Sequence, residues 1–220
     1  MQTVFDHLVI GAETLEQGVQ YLRRQLGIEI PTGGKHPQMG THNCLTRLSE
    51  SSFLEIIAID PDGATPLQPR WFGLDDEHIR KSLAQGPRLL TWVVNTADIT
   101  AALAEALVDS GNAQPISRGD LRWYFGVPDD GRLLGGGMLP YIISWQNPDN
   151  GHPAAAMTDT GCRLTALKLY TPFADWTENH LESIGADSTI TVIPLDSDKP
   201  AYLEAELTTP NGIQLLSSNE

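Results

Sequence analysis

The sequence is poor in basic residues. Fourteen Lys and Arg side chains stand against 28 Asp and Glu, which gives a formal net charge of -14 at pH 7. Nucleic acids and anionic lipid surfaces are bound through basic faces, so this composition argues against both as partners. A small polar or cationic ligand fits the charge better.

Other signals are missing as well. The only two cysteines, Cys44 and Cys162, lie far apart and form no CxxC pair, which predicts reduced thiols, with a single disulfide as the alternative. No window approaches the roughly eighteen apolar residues of a membrane span, and Met1 is not followed by a basic and then an apolar leader segment. We therefore expect a cytoplasmic protein that is not inserted in a membrane. Neither GxGxxG after a strand nor GxxxxGK[ST] occurs, so no nucleotide cofactor is expected.

What the sequence does contain is one pattern repeated three times. The first round has a strand at 5–10, a helix between the Thr14 capping residue and Gly27, and strands at 28–30, 42–48 and 53–59. Further rounds begin at Leu89 and Leu164. Repetition at roughly 75 to 85 residues is typical of a duplicated supersecondary unit. The short turns between strands favour antiparallel or mixed pairing, so we predict an α+β fold of repeated βαβββ modules.

These modules predict a domain organisation. Residues 1–150 would form one domain of two modules, at about 1–60 and 88–146, joined by a connector at 60–87. Residues 161–220 would form a third βαβββ-like module after a polar linker. The connector contains Arg70-Trp71-Phe72-Gly73-Leu74, which we interpret as an aromatic plug over an opening or as a hydrophobic clip that anchors a long loop.

Two predicted strands each carry one side chain that can bind a metal. His7 would share a strand face with Phe5 and Val9, and Glu55 lies among apolar residues of the fourth strand. A buried carboxylate is costly unless a cation, a hydrogen-bond donor or a metal compensates it. An imidazole and a carboxylate on neighbouring strands could chelate a divalent metal. The alternative is a core histidine with satisfied hydrogen bonds and a glutamate that faces solvent.

The remaining histidines give weaker signals. His36 lies in a Gly/Pro-rich loop, where it would be either a pocket-edge residue or solvated. The polar surroundings of three others predict surface positions: His78, His152 and His180. Tryptophans could form aromatic walls for a planar ligand, although core packing is the default for such residues.

Several blocks of the sequence resemble a known family. Asp6-His7-Leu8-Val9 at the head of a βαβββ unit is similar to the vicinal oxygen chelate superfamily, which includes glyoxalase I, bleomycin-resistance proteins and extradiol dioxygenases. Four further blocks resemble the glyoxalase-like domain proteins of that superfamily: Gly40–Asn43, Phe53–Ala58, Arg70–Leu74 and Leu139–Trp145. The resemblance covers Val4 to Trp145, and the third module only by its pattern. It implies that two modules join side by side into a cupped mixed sheet.

The resemblance also implies metal ligands on the first and fourth strands of each module. His7 and Glu55 match these positions in module one. The equivalent positions of module two hold no strong ligand; they fall near Thr91 or Trp92 and near Ile142 or Ser144. This departs from the four-ligand glyoxalase I pattern. His42 could supply a third ligand, so that His7, His42 and Glu55 would bind Zn, Ni, Mn or Fe, with Glu55 and His42 also acting in catalysis. The alternative for His42 is a loop histidine bonded to backbone.

The function implied is that of a metal-dependent lyase or isomerase acting on a small vicinal-oxygen metabolite. Asn43, Trp71 and Trp145 would contact the substrate. The alternatives are a metal-free small-molecule-binding or drug-sequestering protein, similar to bleomycin-resistance proteins, and a structural role. Modules of this type work in pairs, so the third module predicts a homodimer.

Overall fold

The structure is a computed structural model that describes residues 2–146, 151–186 and 190–219. The first module comprises β1 (Val4–Gly11), α1 (Leu15–Leu26), β2 (Thr32–His36), β3 (Thr41–Ser49) and β4 (Ser52–Ile59). After α2 (Glu77–Gln85), the second comprises β5 (Arg88–Asn95), α3 (Ile99–Glu105), β6 (Asn112–Arg118), β7 (Leu121–Val127) and β8 (Tyr141–Trp145). The remainder comprises β9 (Arg163–Thr171), α4 (Ala174–Ser183), β10 (Ile190–Pro194), β11 (Tyr202–Thr209) and β12 (Gly212–Ser217).

The first two modules share one eight-stranded mixed sheet. Its strand order is β2-β3-β4-β1-β5-β8-β7-β6. Within each module the first strand pairs in parallel with the last, and the modules join where β1 runs antiparallel to β5. The predicted α+β fold with a cupped mixed sheet of two βαβββ modules is therefore confirmed.

The C-terminal strands form a second sheet with a different pairing. The element order β9-α4-β10-β11-β12 is the predicted βαβββ order, but the spatial order is β10-β9-β11-β12. Here β9 pairs in parallel with β10, the strand that follows it, and not with the last strand. The third unit therefore matches the other two along the chain and differs from them in space. The division into two domains stays a prediction.

Helix α1 begins and ends where its capping residues predict. The Thr14 side chain accepts a hydrogen bond from the Gln17 amide at 3.2 Å, and Gly27 adopts a left-handed conformation with φ 67°. Both arrangements satisfy backbone groups that a helix end leaves unpaired. The buried face of α1 includes Tyr21 and Leu22, which belong to a core that it shares with the eight-stranded sheet.

Strand β2 lies in the segment predicted to be a loop. The predicted strand at 28–30 does not form, and Ile28 and Ile30 instead pack in the core. The strand at Thr32–His36 is an edge strand. It was not predicted because it contains glycines, and glycine weakens a strand unless another group approaches the backbone closely. That condition holds at Gly33, where an added Cβ would lie 2.3 Å from the Asn43 carbonyl oxygen.

Hydrophobic cores cover both faces of the eight-stranded sheet. The outer core lies between this sheet, α1 and the second sheet, and includes Leu8, Leu54, Leu169 and Leu207. The inner core fills the cup, where Trp71 and Phe72 of the connector pack against Phe125 and Tyr141. Because Trp71 also lines the pocket described below, the plug interpretation of this segment is the better one.

Three further sequence expectations can be compared with the structure. Cys44 and Cys162 are buried free thiols, so the alternative of a disulfide is wrong. The predicted surface position of His180 is also wrong: its side chain is fully buried, and Nδ1 accepts a hydrogen bond from the Val108 amide at 3.3 Å. In the part of the chain that the structure describes, no helix has the length and apolarity needed to cross a membrane.

Candidate functional site

A register shift in β1 brings two polar side chains into the cup. The pairing of β1 with β5 is irregular between Phe5 and His7. Phe5 packs with the outer core, whereas His7 lines the pocket of the inner face. The prediction that Phe5 shares a face with His7 is therefore wrong. The shift allows Asp6, fully buried, to lie beside His7 and to form a hydrogen bond with its ring.

Asp6 is held by three hydrogen-bond donors. Its Oδ1 bonds to His7 Nδ1 at 2.5 Å, and its Oδ2 bonds to Trp145 Nε1 at 2.8 Å and His152 Nε2 at 3.0 Å. Burial alone raises the pKa of Asp6, but the hydrogen bonds from His152 and His7 outweigh it and lower the pKa to about 2. Asp6 is thus an ionised carboxylate. The expected surface position of His152 is wrong, because its side chain is only 11% exposed.

The ionised Asp6 fixes the orientation of the His7 ring. A carboxylate accepts but cannot donate, so Nδ1 of His7 carries the hydrogen of their shared bond. The other ring nitrogen, Nε2, then lies 3.7 Å from Oε2 of Glu55. Phe53 stacks on the imidazole with ring centroids 4.4 Å apart. No role was predicted for Asp6 from the sequence, although it is next to His7 in the motif that carried the family resemblance.

Glu55 is buried in the pocket and does not face solvent. Its side chain is 7% exposed, and Oε1 accepts a hydrogen bond from Asn43 Nδ2 at 2.7 Å. Burial raises the pKa of Glu55, and the nearby His7 and the Asn43 hydrogen bond offset only part of that rise. Glu55 is therefore better able than a surface glutamate to hold a proton near neutral pH.

Asn43 links Glu55 to Arg118, a cation that was not predicted from the sequence. The Asn43 Oδ1 accepts hydrogen bonds from the Gly34 amide at 2.9 Å and from Arg118 Nη1 at 2.8 Å. These donors identify the oxygen end of the amide, so its nitrogen end faces Glu55. Arg118 ends β6 of the second module and reaches across to β2 and β3 of the first. No spacing in the sequence links residues 43 and 118, because the modules meet only in the folded sheet.

These groups line a pocket with an empty volume of about 450 Å³, part of it open to solvent. Its lining comprises His7, His36, Asn43, Leu45, Phe53, Glu55, Trp71, Phe72, Arg118, Trp123, Phe125, Ile143, Trp145 and Pro153. The three residues predicted to contact a substrate, Asn43, Trp71 and Trp145, all line this pocket, and the contact itself stays a prediction. The Trp71 Nε1 is buried without a hydrogen-bond partner among the described residues.

His36 adds a second buried imidazole to the pocket. Its side chain contacts Thr41 Oγ1 at 3.1 Å through Nδ1 and packs edge-on against Trp71. Burial lowers the pKa of His36 to about 3, and the Arg118 charge contributes to the same effect. His36 is therefore a neutral side chain at physiological pH. Of the two positions considered from the sequence, the pocket position is the one observed.

The structure does not bring His42 into the pocket. Asn43 and Leu45 occupy the inner face of β3, so His42 lies on the opposite face, where its Nδ1 is 3.9 Å from Asp60 Oδ1. Among the described residues, no group of three or more His, Cys, Asp or Glu side chains is arranged to hold a metal ion. The expected set of His7, His42 and Glu55 is therefore not assembled. His7 and Glu55 supply two donors beside a guanidinium, which does not fit a resident metal centre.

The fold is similar to that of a protein of known structure. A hypothetical protein from Staphylococcus aureus has a similar structure, with a TM-score of 0.55 at 16% identity over 99% of this chain and 85% of that chain. Methylmalonyl-CoA epimerase in complex with methylmalonyl-CoA and NH4+ gives a TM-score of 0.42 at 18% identity, covering 70% of this chain and 100% of that chain. Methylmalonyl-CoA epimerase from Mycobacterium tuberculosis gives 0.38 at 16% identity, covering 64% and 85%. No curated protein matches this sequence.

A family model described as a glyoxalase-like domain matches residues 5–185, which is most of the chain. It spans both modules of the eight-stranded sheet and continues through β9 and α4. The chain therefore belongs to the glyoxalase-like domain family, as its sequence blocks predicted.

Proposed function

We propose that this pocket is the active site of a lyase or isomerase that moves a proton on a small vicinal-oxygen metabolite. His7 and Glu55 are the proton-transfer pair. The observation that carries the proposal is the arrangement of His7, whose Nδ1 is fixed by an ionised Asp6 and whose Nε2 lies opposite the Glu55 carboxyl group. A buried base held by an orienting carboxylate is the arrangement that general acid-base catalysis requires.

In the proposed reaction, His7 Nε2 removes a proton from a carbon next to a carbonyl group. The C–H electron pair moves into the new C=C bond and the carbonyl electrons move to oxygen, which gives an enolate. The proton then returns to a different face or atom, delivered by His7 or by Glu55. The raised pKa of Glu55 suits it to hold a proton between the two steps. Asn43 is a positioning residue, because its amide is engaged by Arg118, Gly34 and Glu55.

A resident metal is not part of this proposal. Strands β1 and β4 supply His7 and Glu55, whereas His42 lies on the opposite face of β3 and cannot join them. Catalytic zinc sites use three protein ligands and leave one position open. The metal-dependent version of the lyase hypothesis consequently has less support than a metal-independent one.

A second candidate is a protein that binds a small molecule without turning it over. The aromatic lining of the pocket favours this alternative, since the rings of Trp71, Trp123 and Trp145 offer stacking surfaces to a planar ligand. The buried acid-base groups would then serve only as hydrogen-bond partners for one another. The two functions differ in whether a bound compound exchanges its protons with solvent.

Proton exchange in D₂O, followed by ¹H NMR, tests the proposal. The substrates are pyruvate, 2-oxobutanoate, hydroxyacetone and dihydroxyacetone, which all carry exchangeable hydrogens next to a carbonyl group. We expect the protein to accelerate exchange of at least one of them, and His7→Gln to slow it by about 100-fold or more, as loss of a general base does. Glu55→Gln should also be impaired.

His42→Gln is the matched control, because it removes an imidazole from the opposite face of β3 and should leave exchange unchanged. Exchange that is not accelerated for any compound, or that survives His7→Gln, would contradict the enzyme proposal. Binding without exchange would favour the alternative. Equal loss in His42→Gln and His7→Gln would restore His42 to the site.

A further inference from the structure

We propose that the substrate is an organic anion whose carboxylate binds Arg118 at the mouth of the pocket. This inference rests on the proposed function and deepens it by naming the substrate class. The negative net charge of the whole chain favours a polar or cationic ligand. Inside the pocket, however, the positively charged guanidinium of Arg118 lies within a largely apolar lining, which favours an anion.

The charge of Arg118 lacks a direct counter-ion. Its Nη1 donates to the neutral Asn43 amide, and no carboxylate among the described residues forms an ion pair with it within 4.0 Å. Glu55 influences Arg118 only at longer range. Taking a cation out of water is costly unless an anion or a full set of acceptors compensates it. In a chain with twice as many acidic as basic residues, a pocket arginine without a carboxylate partner points to an anion that comes from outside.

The surrounding residues hold the guanidinium in place and leave donors free. An added Cβ at Gly34 would lie 2.5 Å from Arg118 Cδ, so the absence of a side chain there makes room for the arginine stem. The bond to Asn43 uses one of the five N–H donors of the guanidinium. Parallel donors of a fixed guanidinium bind both oxygens of a carboxylate, which gives orientation as well as affinity.

The position of Arg118 indicates which end of the substrate it binds. Arg118 and Leu45 line the pocket and also a neighbouring groove. Arg118 is therefore located where the pocket opens, whereas His7 and Glu55 are buried within it. The same groove is lined by Arg47, whose Nε is buried without a partner among the described residues. A carboxylate at Arg118 would thus leave the carbonyl-bearing carbon directed inward, towards the proton-transfer pair.

A matched pair of probes isolates the charge. Pyruvate and pyruvamide have the same size and the same two neighbouring oxygen-bearing carbons, and differ in the carboxylate. We expect ligand-observed NMR titration to give roughly ten- to hundred-fold tighter binding of pyruvate, the range expected for charge-assisted hydrogen bonds. Arg118→Gln should remove that preference, and Arg118→Lys should restore part of it. Arg24→Gln, on the exposed side of α1, removes the same charge far from the pocket and should change nothing.

The outcomes separate this inference from the proposed function. Equal binding of pyruvate and pyruvamide, absence of binding by both, or unchanged pyruvate binding in a folded Arg118→Gln variant would overturn the anion proposal. Charge-dependent binding without proton exchange would support the anion site and contradict the enzyme. Exchange of hydroxyacetone as fast as pyruvate, insensitive to Arg118→Gln, would support the enzyme and overturn the anion site.

Discussion

At the scale of single residues, Asp6 determines what His7 can do. It accepts three hydrogen bonds, from His7, Trp145 and His152, while fully buried. An ionised carboxylate stabilises one tautomer of the ring, and a neutral amide in its place can donate to Nδ1 and stabilise the other. The base nitrogen of His7 would then lose its lone pair.

We therefore expect Asp6→Asn to slow proton exchange by roughly a hundred-fold or more, because replacing the carboxylate behind a histidine base by an amide can cost up to about 10⁴-fold. The measurement is the exchange rate in D₂O, with the midpoint of thermal unfolding recorded alongside. Trp145→Phe removes one donor to Asp6 but leaves its charge, so the exchange rate should fall less. A full exchange rate in Asp6→Asn would show that the orientation of His7 is set by other groups.

Two buried histidines make the fold sensitive to acid. Burial lowers the pKa of His180 to about 4 and that of His36 to about 3, whereas an unfolded histidine titrates near 6.5. Below pH 6.5 the unfolded chain therefore binds more protons than the native one, and the free energy of unfolding falls as pH falls towards these native values.

For His180 alone, this amounts to about 2 kcal/mol between pH 7 and pH 4.5. His180→Asn keeps an acceptor for the Val108 amide and removes the titration. Urea unfolding at the two pH values should therefore give a smaller pH-dependent loss of stability in this variant than in the unchanged protein. An equal pH-dependent loss of stability in His180→Asn and in the unchanged protein would mean that the pKa of His180 does not differ between the native and unfolded states.

At the scale of elements, β2 connects the fold to the site. Glycines in this edge strand allow the Asn43 backbone and the Arg118 side chain to approach closely. Helix α1 and strand β4 could be predicted because capping residues and apolar spacing are local signals. Strand β2 and the irregularity in β1 could not, because both depend on groups that arrive from other parts of the chain.

Gly34→Ala tests this link. The added Cβ would meet Arg118 Cδ and displace the guanidinium, so we expect pyruvate binding to weaken towards that of Arg118→Gln while stability falls by only about 1 to 3 kcal/mol. In the exposed Gly119→Ala the added Cβ would have no atom within 4 Å, and the positive φ of 57° adds a backbone strain that Gly34 does not have. This control therefore costs stability without displacing the Arg118 side chain. Unimpaired pyruvate binding in a folded Gly34→Ala variant would indicate that the Arg118 side chain reaches the pocket in another conformation.

At the scale of the whole molecule, the sequence predicts more of the fold than of the site. Repetition, capping and short turns predicted the βαβββ modules, and the family resemblance implied that two of them share one sheet. Side-chain chemistry and the resemblance pointed to five residues that all line one pocket: His7, Glu55, Asn43, Trp71 and Trp145. Arg118 and His152 escaped prediction because a single sequence does not reveal which residues the joining of two modules brings together. His42 was misplaced because alternation along β3 directs its neighbour, and not His42 itself, inward.

The expected homodimer stays a prediction at this scale. The second sheet and α4 carry apolar side chains that a monomer leaves in water, among them Phe173 at 67%, Ile213 at 66% and Trp176 at 46% exposure. Burying such groups favours self-association. Sedimentation velocity at micromolar concentration should give the mass of two chains, and a single-chain mass over the same range would contradict the prediction.

The pairing of β1 with β5 also determines when the site can first exist. Asp6 and His152 are separated by 146 positions in the chain, and Asn43 and Arg118 by 75. At about 5 to 20 residues per second, His152 is synthesised roughly 7 to 30 s after Asp6. A nascent chain with only its first module therefore holds His7 and Glu55 without the orienting contact from His152 or the Arg118 cation. Affinity for the proposed anion would therefore develop late in biosynthesis, and such a ligand would stabilise only the chain in which both modules have joined.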